Sequence, residues 1–188
     1  MKRIGQATLI VSTIVGSWLG MQAVHEGGHV AGAWLSGGRV AKVVLHPSTI
    51  SRTDLSENPR PLLVAWAGPV MGVVVPLALW QLALVTKLRA AFLLRFFAGF
   101  CLVANGLYIA IGSFGRVGDC GEMLRHGSRP WQLWLFGAVA APLGLWLWHR
   151  QGPHFGLGTA KGDVDRVAVT ASLVACAALL ALDFAVGK

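Results

Sequence analysis

Long apolar blocks, each about the length needed to cross a bilayer, constrain this chain more than any other feature. They fall at residues 6–35, 61–85, 91–113, 131–148 and 167–186. A hydrocarbon core is about 30 Å thick, which a helix crosses in about 20 residues. Inside it every backbone N–H and C=O must be satisfied by protein, and a helix does this within its own segment. Only 13% of the residues are charged, where a soluble domain carries about 25%. The expected fold class is therefore an all-α multi-pass membrane protein with about five transmembrane helices. Integral, multi-pass placement in the cell membrane follows as the expected location.

Breakers punctuate the blocks. The first stops at Ser36-Gly37-Gly38, a plausible C-cap, and the second starts at Pro61, which suits a first helical turn. In the fourth, Trp131 and Trp134 stand at one end and Trp146 and Trp148 at the other. Those pairs would lie roughly 20–25 Å apart, as interfacial aromatic belts do. The start, "MKRIGQATLIVSTIVGSWLGMQA", has the look of a secretory signal, but its apolar pattern runs on to Leu35, too long for a signal h-region, so an uncleaved first span is expected. Between the first two blocks lies "GGRVAKVVLHPSTISRTDLSENPRP". Its Val-rich start reads as a short β-strand or hairpin after the first helix, and its later part as a polar loop. No repeat or low-complexity linker divides the chain, so residues 1–188 are expected to form a single integral membrane domain.

Charge excludes some function classes. The net charge is +8, but the 16 basic residues are spread over every loop, and nucleic-acid binding needs them clustered on one face of a soluble module. With alternating spans the basic residues divide equally between the two sides, so the positive-inside rule gives no orientation. Cys101, Cys120 and Cys176 form no C-x-x-C pair, which leaves neither a disulfide framework nor a thiolate metal site.

Against this apolar background "GMQAVHEGGHVAGAW", residues 20–34, is anomalous. His25-Glu26-Gly27-Gly28-His29 fits H-E-x-x-H. Residues four apart share a helix face, so His25 and His29 can both address one metal ion. Glu26, about 100° round the helix, is placed as a general base for water that the metal activates. An ionisable group at the membrane centre costs at least roughly 2.5–3.5 kcal/mol, so three in five residues call for a cation to absorb the burden. Counted from Thr8, His25 lies roughly 26 Å along the axis, near the far face of the bilayer and within reach of water.

Catalytic zinc takes three protein ligands plus water. The extended motif H-E-x-x-H-x-x-G-x-x-H is matched through Gly32 and fails at Leu35, so the third ligand must come from elsewhere. Asp119, in "SFGRVGDCGEML", is the leading candidate: a third helix parallel to the first returns the chain to the side where His29 lies. A plain N-capping role for Asp119 is the competing reading. Glu122 is the reserve ligand and His46 a more distant one. Gly16, Gly20, Gly28, Gly32 and the G-x-x-x-G of Gly68 and Gly72 read as close helix packing. A haem carrier fails because only the first block holds histidines, and the paired discontinuous helices of a transporter are not visible.

The chain resembles the site-2 protease family of intramembrane zinc metalloproteases, peptidase family M50. The resemblance rests on "HEGGH", on "GGRVAKVVLHP", similar to the strand-forming segment that follows the motif there, and on "AWAGPVMG", residues 65–72. It covers roughly residues 16–123 and implies a three-helix catalytic core at about 6–124, with two additional C-terminal helices at about 131–148 and 167–186. It implies one Zn2+ per chain held by His25, His29 and an aspartate on the third core helix, with Glu26 as base. It also implies hydrolysis of a peptide bond in a membrane-embedded substrate helix. The third element departs from the family pattern: Asn105 precedes Asp119 by 14 residues, with no proline between them and Gly-Asp-Cys in place of Asp-Gly. Asn105 reads either as a hydrogen-bonding group for the substrate backbone or as an interhelical hydrogen bond. The expected partners are a membrane-protein substrate and the lipid bilayer, with no nucleic acid; a homo-oligomer is left open. The rival reading is an inactive homologue serving as a metal-stabilised membrane adaptor.

Overall fold

The computed structural model describes residues 2–48 and 50–186. In chain order the elements are α1 (Lys2–Leu35), β1 (Arg39–Val44), β2 (Arg52–Glu57), α2 (Pro61–Val85), α3 (Ala91–Gly115), α4 (Gly118–Arg125), α5 (Pro130–Trp148) and α6 (Arg166–Val186). Every α-helix but α4 is long and apolar enough to cross a membrane. The chain is an integral multi-pass membrane protein.

The breakers act as the sequence suggests. Gly37 takes a left-handed φ of 76°, and the Gly38 N–H donates to the Ala33 carbonyl at 2.8 Å. That closure absorbs an orphan carbonyl and stops α1. At its other end α1 begins at Lys2, one turn before the apolar block, where the Gln6 side chain donates to the carbonyls of Phe155 and Gly156 at 3.1 and 2.9 Å.

Small residues set the helix spacing. Gly16 lies against Cys176 and Gly20 against Leu179, so α1 and α6 run parallel. Gly99 faces Gly144, while Gly106 meets Ala140, so α3 and α5 run antiparallel with backbones close together, as in membrane helix pairs. Ile109, Cys120, Met123 and Leu133 are fully buried where α3, α4 and α5 meet. Val74, Leu82, Ile111, Leu135 and Val174 point outward, as lipid-facing side chains do.

The hairpin is antiparallel, pairing Val40 with Leu55, Lys42 with Asp54, Val43 with Thr53 and Val44 with Arg52. The polar stretch read as a loop is thus strand β2. Its sequence lacks an apolar alternation because one face meets polar side chains of α1. Hairpin and α4 occupy the same end of the helices, the end at which α1 carries its histidines.

Candidate metal centre

His25 and His29 lie one turn apart on α1, both buried, with ring centroids 4.8 Å apart. Asp119 reaches them from the first turn of α4. Arg116 ends α3 in a left-handed conformation (φ 51°) and Gly118 follows with φ 56°, so the chain turns sharply and aims Asp119 back at α1. Val117, not Asp119, occupies the N-cap position. The Asp119 N–H donates to the Tyr108 hydroxyl at 3.2 Å, and the Cys120 thiol donates to the Tyr108 carbonyl at 3.4 Å. These contacts tie α4 to α3.

Three side chains converge, with both oxygens of Asp119 turned to the histidines. His25 Nε2 lies 2.9 Å from Asp119 Oδ2, His29 Nε2 lies 3.3 Å from Asp119 Oδ1, and the two Nε2 atoms are 3.1 Å apart. Among the described residues no other cluster of three His, Cys, Asp or Glu side chains could hold a metal. Glu122 is engaged instead by Arg125 and, at 3.2 Å, by His126. His46 is turned to Ser48, whose N–H donates to its Nδ1 at 3.2 Å.

The far nitrogens decide what this cluster wants. His29 Nδ1 faces the Val64 carbonyl at 2.8 Å; a carbonyl only accepts, so Nδ1 carries the proton. Asn105 Nδ2 donates to the Cys101 carbonyl at 2.9 Å, which turns its oxygen to His25 Nδ1 at 2.7 Å. That nitrogen is a donor too. Both Nε2 atoms are therefore left with lone pairs, facing each other and a carboxylate. Such an arrangement repels itself unless a cation sits within it. A tetrahedral zinc with bonds of about 2.0–2.1 Å sets its ligand atoms about 3.3 Å apart, close to the three separations seen, so the residues fit the ion.

Asn105 is 1% exposed; its oxygen faces His25 Nδ1 and one N–H donates to Cys101, so it stands behind His25 as an interhelical hydrogen-bonding group, and it also lines the cavity. Such partners behind a ligand fix its tautomer and ring orientation. The α2 glycines make room for this arrangement. A Cβ on Gly68 would collide with the His29 ring, and one on Gly72 would lie 2.7 Å from Asn105 Nδ2. Gly28 and Gly32 bring α1 and α2 together as expected, with Cβ positions only 2.9 Å from Gly68 Cα and 2.6 Å from Ala67 Cβ.

Glu26 is 4% exposed. Ser51 Oγ donates to its Oε1 at 2.8 Å and Thr53 Oγ1 to its Oε2 at 2.6 Å. Glu26, the three cluster residues, β2 and Tyr108 all line one cavity of about 960 Å³. Ser51, Thr53 and Tyr108 escaped the sequence reading. The signals were present: Ser51 and Thr53 alternate as strand residues do, and Tyr108 is the chain's one tyrosine.

A family model described as Peptidase M50B-like matches residues 10–116, more than half of the 188 residues. The matched stretch includes His25, Glu26, His29 and Asn105 and stops just short of Asp119. No curated protein matches, and no solved structure does.

Proposed function

The chain belongs to the Peptidase M50B-like family, and from that premise we propose that it is an intramembrane zinc metalloprotease that hydrolyses a peptide bond of a membrane-embedded helix. The observation that carries this reading is the convergence of His25 Nε2, His29 Nε2 and an Asp119 oxygen beside the buried Glu26 carboxylate, at the wall of an open cavity. His25, His29 and Asp119 would hold the zinc. When bound, the ion lowers the pKa of a water molecule and polarises a carbonyl.

Glu26 supplies the proton transfers. Its carboxylate accepts a proton as the water oxygen bonds to the scissile carbonyl carbon, and delivers that proton to the amine nitrogen as the C–N bond breaks. Asn105 and the Val64 carbonyl keep both imidazoles in the tautomer that presents a lone pair. Burial of the cluster raises the strength of each electrostatic contact within it. The substrate has to enter extended, because a helical peptide bond is shielded by its own turn. Residues 52–55 of β2 line the cavity, and this strand would offer an extended substrate an edge for strand addition.

Purified wild type should contain zinc at about one per chain, as expected for three ligands on a single ion, and His25→Ala should lose it. Wild type should cleave a co-expressed single-span substrate, while Glu26→Gln should retain the metal and fail to cleave. Cleavage by Glu26→Gln at the wild-type rate would refute the role given to Glu26. Zinc without any cleavage by the wild type would favour the adaptor reading.

A further inference from the structure

The contacts between hairpin and α1 form a regular series. Trp18 Nε1 donates to the Pro47 carbonyl at 3.1 Å, and the Ser51 N–H donates to Gln22 Oε1 at 2.9 Å. Ser51 and Thr53 then close on the two oxygens of Glu26. Positions 18, 22 and 26 are one turn apart and form a single stripe on α1. The spacings match: one helical turn of four residues rises about 6 Å, and two residues of a strand advance about 6.6–6.8 Å. Ser51, just before β2, and Thr53, within it, both turn to α1, while Arg52 and Asp54 pair with each other at 3.2 Å.

We propose that Ser51 and Thr53 are positioning residues that clamp the Glu26 carboxylate in its working orientation, so that the hairpin serves as the holder of the general base. The inference rests on the protease reading above. Four observations support it beyond simple packing. Both carboxylate oxygens are held, which fixes the plane of the group as well as its place. Each oxygen receives one hydroxyl and keeps a lone pair for a water proton. The two hydroxyls stand two residues apart, Ser51 just before β2 and Thr53 within it, and the Ser51 N–H is itself tied to Gln22 of α1. The same strand lines the cavity an extended substrate would enter, so substrate pairing with β2 would load the clamp directly. A glutamate side chain has freely rotating bonds, and a base displaced by about 1 Å can cost about a hundredfold in rate.

The experiment uses full-length chain, loaded with zinc and reconstituted in phosphatidylcholine vesicles with a pool of single-span reporter helices, products being read by mass spectrometry. Thr53→Val removes the shorter hydroxyl contact at nearly constant volume. It should lower kcat about tenfold to a hundredfold, as loss of a hydrogen bond to a charged group does, with KM within about twofold. Thr53→Ser should restore kcat, and zinc per chain should stay at the wild-type level in both. In hydrogen exchange, the Ser51 amide should lose protection in the Ser51→Ala/Thr53→Val double variant. Wild-type cleavage with an unchanged kcat for Thr53→Val overturns the clamp and leaves the protease reading standing. So does a raised KM at constant kcat, which would make Thr53 a substrate contact, or failure of Thr53→Ser to restore the rate. Protection of Ser51 equal in wild type and double variant also overturns it. Absence of cleavage by the wild type overturns the protease reading, and the clamp with it.

Discussion

Asn105→Ala should weaken zinc binding about 10- to 100-fold, the range seen when the hydrogen-bond partner behind a metal ligand is removed. The magnitude follows from two contacts. In the wild type the Asn105 oxygen accepts from His25 Nδ1 at 2.7 Å, and its nitrogen donates to the Cys101 carbonyl at 2.9 Å. Asn105 is 1% exposed, and a methyl in its place offers no acceptor. Alanine therefore leaves the His25 Nδ1–H without its protein partner, which costs about 1–3 kcal/mol. At about 1.4 kcal/mol per decade that is roughly fivefold to 150-fold, the same range reached independently. The ring also becomes free to carry its proton on Nε2, which removes the ligand lone pair altogether. The assay is equilibrium competition for zinc against a fluorescent chelator of known affinity. Thermal unfolding of the metal-free forms checks that Asn105→Ala still folds. Zinc affinity within about twofold of wild type, combined with a raised KM, would refute the reasoning and return Asn105 to a substrate-contacting role.

Gly68→Ala should abolish stoichiometric zinc, because its Cβ collides with the His29 ring; zinc analysis that matches wild type would show that α2 can retreat. Asp119→Asn should lose metal, while Glu122→Ala, which frees only a surface pair with Arg125 and His126, should keep it; the reverse result would exchange their assignments. Zinc removal by a chelator should lower the unfolding temperature of the wild type but not of His25→Ala, since an ion that binds only the folded chain stabilises it. Arg89→Ala breaks an exposed pair with Asp165 that has contacts at 2.8 and 3.2 Å. It should leave the midpoint of a denaturant titration essentially unchanged, as screened surface pairs do.

Much of the fold was legible because a bilayer admits few solutions. Apolar run length located the five spans, and Gly37-Gly38 and Pro61 marked the end of α1 and the start of α2 to the residue. The histidine pair was legible because helix periodicity alone puts residues 25 and 29 on one face. Asp119 was reachable by counting spans, since the direction of α3 decides where its end emerges. The second strand was not legible: β2 reads R-T-D-L-S-E, with no apolar alternation, because Thr53 meets the Glu26 carboxylate and not a hydrophobic core. The α2 glycines were seen as packing residues, and half of their purpose was missed. Sequence shows that a side chain is missing at Gly68 and Gly72, but not that an imidazole and an amide fill the space.

The cluster is moored on four elements at once. Two ligands belong to α1, one far nitrogen is held by the α2 backbone at Val64 and the other by α3 at Asn105, and the carboxylate arrives on α4. During synthesis the membrane receives these pieces in order. A nascent chain with only its first span inserted exposes two imidazoles and a glutamate, yet has nothing to fix their tautomers and no carboxylate. Competence thus waits on the arrival of residue 119, after three spans have been inserted. A chain that stalls or is truncated before that point lacks the third donor, so under the proposed function it stays inert toward its neighbours in the bilayer.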